Sequence, residues 1–152
     1  MDIVNLRDVP QLLPLLAAWH HVQWEYLNPG RTLAQRIADM QPQLLDELVP
    51  STWVAIESGA ALGSASLLQH DMDTHPELAP WLASVFVAPE FRRLGIAATL
   101  VRRVMHEARA GGIDTVHLFT PDQARFYAGL GWEVVVEENY MGDRVTLMQA
   151  RL

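Results

Sequence analysis

The hydrophobic pattern changes period part-way along the chain. From Pro10 to about Leu27 the apolar residues recur at helical spacing, with Leu13, Leu16, Ala17 and His20 on one side. This predicts a first helix, broken at Asn28-Pro29-Gly30. Thr32 to Leu48 reads as a second helix, kinked or split at Pro42. Ile3 to Leu6 supplies a short strand ahead of both. Beyond the turn at Pro50-Ser51, strands take over. Trp53–Glu57 and Gly63–Gln69 flank Ser58-Gly59 and read as a hairpin. Asp71–Pro80 is polar and proline-flanked, which predicts a loop. Trp81–Val87 is an unbroken apolar run, as expected of a strand buried on both faces, and Pro89 ends it. From Gly95 to Ala110 helical spacing returns, with Arg102, Arg103, His106 and Glu107 on the polar face and Gly111-Gly112 as the stop. Thr115–Phe119 is a strand. Pro121 opens a short helix that Gly129 to Gly131 closes, and Trp132–Glu137 and Val145–Ala150 are the final strands. The order β-α-α-β-β-β-α-β-α-β-β describes one α/β domain over residues 1–152, with a mixed sheet.

Composition narrows the chemistry. Half of the residues are apolar, enough for one core without covalent staples. There is no cysteine, which removes disulfides, thiolate nucleophiles and zinc–thiolate sites. No apolar run approaches the ~20 residues of a membrane helix. The first residues lack the basic and apolar regions of a secretion signal, so a cytoplasmic location is expected and no membrane partner. The net charge is −7, and all eleven basic residues are Arg. An acidic chain is a poor general binder of nucleic-acid phosphates, so no nucleic-acid partner is expected. The charge is uneven, however. Phe91 to Arg109 carries +4 and the remainder −11. Such a patch is either a solvated helix face or the place where one small anion binds.

The segment Val85-Phe86-Val87-Ala88-Pro89-Glu90-Phe91-Arg92-Arg93-Leu94-Gly95-Ile96-Ala97-Ala98 favours the anion. It is a strand, a tight turn and a helix start rich in small residues. A helix start presents unpaired N–H groups and the positive end of a dipole, and a pyrophosphate satisfies both. Gly95 and Ala97 let phosphate oxygens approach the backbone. The segment is not a Walker loop, having no Gly-Lys-Ser/Thr, and it lacks the glycine triplet of a dinucleotide fold.

Two blocks here resemble the GNAT superfamily of N-acyltransferases. One is V-x-P followed by R-x-x-G-x-[G/A], present as Val87-Ala88-Pro89 and Arg92 to Ala97. The other is F-Y-x-x-x-G-[FW], present as Phe126 to Trp132. The resemblance is specific over Trp81 to Trp132; the preceding residues agree in element pattern only. Arg93 stands where many members carry Gly, and Thr120 where many carry Asn, although Thr120 can still cap the Pro121-Asp122-Gln123 turn.

The resemblance implies a mostly antiparallel sheet, with helices on both faces and a splayed fourth and fifth strand. It implies acetyl-CoA as co-substrate and a primary amine of a small molecule or peptide as acceptor, attacked directly and without a metal. The pantetheine arm would pair with Val85, Phe86 and Val87 as a false strand. The Val87 N–H would face the thioester oxygen. The amides of Arg93, Leu94, Gly95, Ile96, Ala97 and Ala98 would hold the pyrophosphate, with Arg92 and Thr120 nearby. Tyr127 would be the general acid for the leaving thiolate; from the residues alone it fits equally a core position beside Phe126. The base stays open among Glu25, His20, His21, His117, Ser84 and a water chain. His20-His21 with Glu25 is not a metal site, because adjacent residues diverge on a helix and no third ligand is evident.

Trp24, Glu25, Trp81 and Ser84 are the candidate acceptor contacts. Trp19, Tyr26, Asp71, Asp73 and Glu77 lie in the same regions, where acids beside aromatics suit a polyamine or a basic peptide tail. The exposed edges of the last strands allow a homodimer. A non-catalytic acyl-CoA sensor, an RNA-directed acyltransferase and a structural domain with a chance motif are the alternatives.

Overall fold

The computed structural model describes residues 1–152. Its centre is one seven-stranded sheet, ordered β1-β2-β3-β4-β5-β7-β6. The strands are β1 (Asp2–Asn5), β2 (Ser51–Glu57), β3 (Ala60–Leu68), β4 (Trp81–Val87), β5 (Thr115–Thr120), β6 (Glu133–Tyr140) and β7 (Asp143–Arg151). Every neighbouring pair is antiparallel except β4 and β5. The helices are α1 (Leu13–Trp24), α2 (Leu33–Met40), α3 (Ile96–Ala110) and α4 (Ala124–Ala128).

The two-residue period of β2 explains why the middle of the sheet reads as continuous apolar sequence. Trp53 and Ala55 face one side, where Leu100, Val101, Val104 and Ala108 of α3 cover them. Val54 faces the other side, against Leu13, Leu16 and Ala17 of α1. Helices therefore lie on both faces. A third cluster, Met72, Trp81, Val145 and Leu147, seals the sheet beneath the 71–80 loop.

The boundaries move where a local rule was outweighed. Pro10–Leu12 and Glu25–Leu27 are 3-10 turns at the ends of α1. The second predicted helix stops at Met40, and Pro42 lies in a 3-10 turn over Gln41–Leu44. That proline has no N–H to donate and clashes with the preceding turn. At its other end α2 is held by a capping box between Thr32 and Gln35. The short helix starts at Ala124 rather than Pro121, because Thr120 Oγ1 accepts from Gln123 N at 2.9 Å and holds a turn first. β6 runs on through the polar Glu138-Asn139 to Tyr140, as an edge strand needs no apolar face. Met141 (φ 51°) and Gly142 (φ 84°) then close its hairpin with β7. Ser58 (φ 51°) and Gly59 (φ 80°) close the β2–β3 hairpin in the same way.

Candidate active site

Two distortions of β4 make the site. Ser84 adopts a left-handed φ of 52°, and the register to β3 slips between Ser64 and Ser66. Ser84 and Val85 thus share the place opposite Ala65, a bulge that bends the strand. On its other side β4 meets β5 only at Trp81 and His117. From there the two parallel strands diverge, and the second half of β4 has an open edge.

Hydrogen bonding shows which groups face that edge. Ala88 donates its N–H to Leu62 O at 2.9 Å. Residues alternate along an antiparallel ladder, so Val87, opposite Gly63, turns its own N–H and C=O away from β3. Arg92 Nε donates to that Val87 carbonyl at 2.9 Å. By the same alternation the Val85 amide faces the gap too.

The gap continues to the start of α3. Gly95 caps this helix with a left-handed φ of 80°, and no side chain satisfies the first-turn amides. Arg93, two residues earlier, is also left-handed, at 65°. The N–H groups of Ile96, Ala97 and Ala98 are therefore free for an anion. Arg92 adds charge from above the Phe86 ring, 5.6 Å from its centre. These residues, Thr120 and Tyr127 line one cleft of about 1130 Å³. Leu94 alone among the predicted phosphate-loop residues is outside the lining and 71% exposed.

Tyr127 packs in the core and also reaches the cleft. Its ring packs against Phe126 and Trp132, with centroids at 5.0 and 6.2 Å, yet it lines the cleft. Burial pushes its phenol up to about 12, and the Asp122 carboxylate pushes the same way.

A model of the GNAT acetyltransferase domain matches residues 50–134, more than half of the chain. The chain belongs to the GNAT acetyltransferase family. No curated protein matches it in sequence. Among solved structures it is similar to the ribosomal-protein-alanine N-acetyltransferase of Brucella melitensis, at 20% identity over all of both chains with a TM-score of 0.79. It is similar to an aminoglycoside 6'-N-acetyltransferase complexed with coenzyme A, at 17% identity over 99% of this chain and 97% of that one, TM-score 0.78. It is also similar to yncA of Salmonella typhimurium, solved with its cofactor acetyl-CoA, at 20% identity over 99% and 93% of the two chains, TM-score 0.76. The open strand edge, the uncapped helix start and the two arginines are a fit for such a molecule: a groove, an anion cradle and countercharge in one line.

At the far end of the cleft of this GNAT domain the sequence candidates for acceptor contacts separate. Trp24 and Ser84 line the cleft, whereas Trp81 and Glu25 do not. Trp81 is fully buried and donates its indole N–H to Leu78 O at 2.8 Å. Glu25 points elsewhere, 3.8 Å from His21. The candidate bases separate too. His20 lines the cleft but is buried against Ser64, Nε2 to Oγ 3.0 Å, and desolvation lowers it to about 3. A histidine so weakly basic takes no proton near neutral pH. His21 and His117 are outside the lining; His117 is buried beside Trp81, and desolvation lowers it also. Asp71 lines the cleft, and burial raises it to about 7 against the opposing pull of Arg36.

Arg31, Arg36, Tyr140 and Asp143 also line this end. Sequence reasoning placed none of them there. Arg36 falls within the second predicted helix with nothing to single it out, Arg31 falls just ahead of that helix, and no local signal sets α2 across from the 71–80 loop.

Proposed function

We propose that the protein transfers the acetyl group of acetyl-CoA to a primary amine of a small molecule or peptide by direct attack. The observation that carries this is the single cleft joining the uncapped start of α3, the open edge of β4 and Tyr127. Acetyl-CoA, a co-substrate, supplies the activated acyl group as a thioester. The chain holds it and handles charge. The first-turn amides of α3 take the pyrophosphate, with Arg92 and Arg93 as countercharge. The N–H of Val87 donates to the carbonyl oxygen as negative charge grows on it, and the Val85 N–H is left to pair with the pantetheine arm.

Tyr127 serves the leaving sulfur. A phenol near 12 holds its proton at neutral pH, as an acid must. A thiol titrates near ~8.5, so complete transfer from this phenol to a free thiolate is uphill. Its main contribution is a hydrogen bond that strengthens as the C–S bond breaks. The absence of cysteine agrees with direct attack in place of an acyl-enzyme thioester. An acidic chain whose basic patch borders the cofactor cleft favours neither nucleic acid nor membrane as acceptor.

The test is thiol release from acetyl-CoA near pH 8 against amino acids, polyamines, aminoglycosides and peptides. Amine-dependent release is expected, and Tyr127→Phe should lower kcat about 10- to 100-fold, the worth of one hydrogen bond to a developing charge. Saturable acetyl-CoA binding with no release from any amine would support the sensor reading instead. No binding at all would sink the proposal.

A further inference from the structure

Two opposite charges face the acceptor end of the cleft without meeting each other. Arg36, on α2, is half-buried, and its Nε is shielded from water with no hydrogen-bond partner. Asp39, the nearest acid on its own helix, is taken by Arg31. Asp71, from the loop after β3, is half-buried in the same cleft, close enough to Arg36 to feel its charge. Neither residue belongs to any ion pair of the molecule. Withdrawing a guanidinium and a carboxylate from water without partners is costly, and a ligand that satisfies both recovers that cost.

We propose that the acceptor is a free α-amino acid, its carboxylate held by the Arg36 guanidinium and its ammonium set against Asp71. The inference rests on the acetyl-transfer reading above and names the substrate class for it. The planar guanidinium matches a carboxylate in a paired geometry that a single cation lacks. An α-amino acid presents its two charges on one carbon, which suits a cation and an acid that line one cleft without bridging. Polyamines and aminoglycosides leave Arg36 unsatisfied and bring a further positive charge beside it. Peptides that offer a side-chain amine also place no carboxylate there.

Asp71 then has a chemical part. It accepts one proton from the ammonium. The freed nitrogen pair forms the C–N bond to the acetyl carbon, the C–S bond breaks with its electrons on sulfur, and the nitrogen, cationic after attack, gives up its second proton to that sulfur, which leaves as the free thiol. The proton on Asp71 passes to water through the mouth of the cleft.

The experiment compares amino acids with their own carboxamides and decarboxylated amines in the thiol-release assay. It uses the wild type, Arg36→Gln, Arg36→Lys and Asp71→Asn, with folding checked by circular dichroism and acetyl-CoA binding by calorimetry. The best amino acid is expected to show kcat/KM at least about tenfold above its carboxamide. Arg36→Gln should raise KM for the amino acid by about tenfold or more and KM for the carboxamide by much less, and Arg36→Lys should recover part of the loss. Asp71→Asn should lower kcat with acetyl-CoA affinity intact. Equal use of acids, carboxamides and amines would overturn the inference. So would an Arg36→Gln effect equal for both acceptor types. If Arg36→Gln does not fold, Arg36→Lys and the acceptor comparison decide alone. Acetyl-CoA binding without release from any amino acid also overturns it, yet leaves the donor site standing; failure to bind acetyl-CoA removes the donor reading itself.

Discussion

Gly63 gives the sharpest mechanical test of the site, although it touches no substrate. It pairs with Val87 across β3 and β4. A Cβ built there would lie 2.6 Å from the Phe86 carbonyl oxygen and 3.2 Å from Val87 Cα. Val87 Cγ2, also at 3.2 Å, can rotate away, but the tightest contact is a backbone oxygen that cannot. Restoring a close C···O contact of ~3.3 Å moves β4 by about 0.7 Å. The only free direction is toward the gap beside β5, where the Val85 and Val87 amides face. Overpacking costs about 1–3 kcal/mol, and replacing a strand glycine returns about 0.5–1 kcal/mol. The net expectation for Gly63→Ala is about 1–2 kcal/mol of lost stability, a fall in Tm of roughly 3–6 °C for a chain of this size. Displacing the proposed oxyanion donor by most of an ångström should cost kcat at least about tenfold. Pyrophosphate contacts on α3 stay in place, so acetyl-CoA affinity should fall much less than turnover. Thermal melts, calorimetry with acetyl-CoA and the thiol-release assay read the three quantities separately. A Gly63→Ala protein with unchanged Tm and unchanged kcat would refute the claim that this contact sets the open edge.

Arg92→Ala removes both the bond to the Val87 carbonyl and a charge beside the first turn of α3. It should weaken acetyl-CoA binding by about tenfold or more and flatten its salt dependence, read by calorimetry at two ionic strengths. His20 predicts acid sensitivity. Its folded value is lowered to about 3 from 6.5, so its stabilising contribution is complete above 6.5 and drains away as pH falls toward 3. At pH 5 about 2 kcal/mol is lost through this group, and His20→Gln, which can still hydrogen-bond Ser64, should show a correspondingly flatter urea midpoint between pH 7 and pH 5. Identical slopes in the two proteins would contradict the buried, neutral histidine.

Most of the donor side was legible in the chain. The buried run Trp81–Val87, the small residues after Arg93 and the amphipathic α3 are local features. A helix start exposes amides wherever it forms, whatever surrounds it. The Phe126–Trp132 block likewise placed Tyr127 near the groove. Period and turn chemistry also located every strand, because burial on one or both faces writes itself into consecutive residues.

The acceptor side was decided by tertiary structure. Trp81 and Glu25 had the right residue types for contacts, but Trp81 is sealed under the 71–80 loop and Glu25 turns outward from the end of α1. Arg36 and Asp71 lie far apart in sequence and line one cleft only because the packed chain sets α2 and the loop after β3 around it. Burial acts on both His20 and Asp71, and the sign of the charged form separates them as bases: desolvation holds the imidazole neutral and inert near neutral pH, and the same effect raises the carboxyl to where it can take a proton. A sequence carries the pattern that buries a residue within its own element. Which other element closes over it, and so which charges lose their water, is set only when the chain packs.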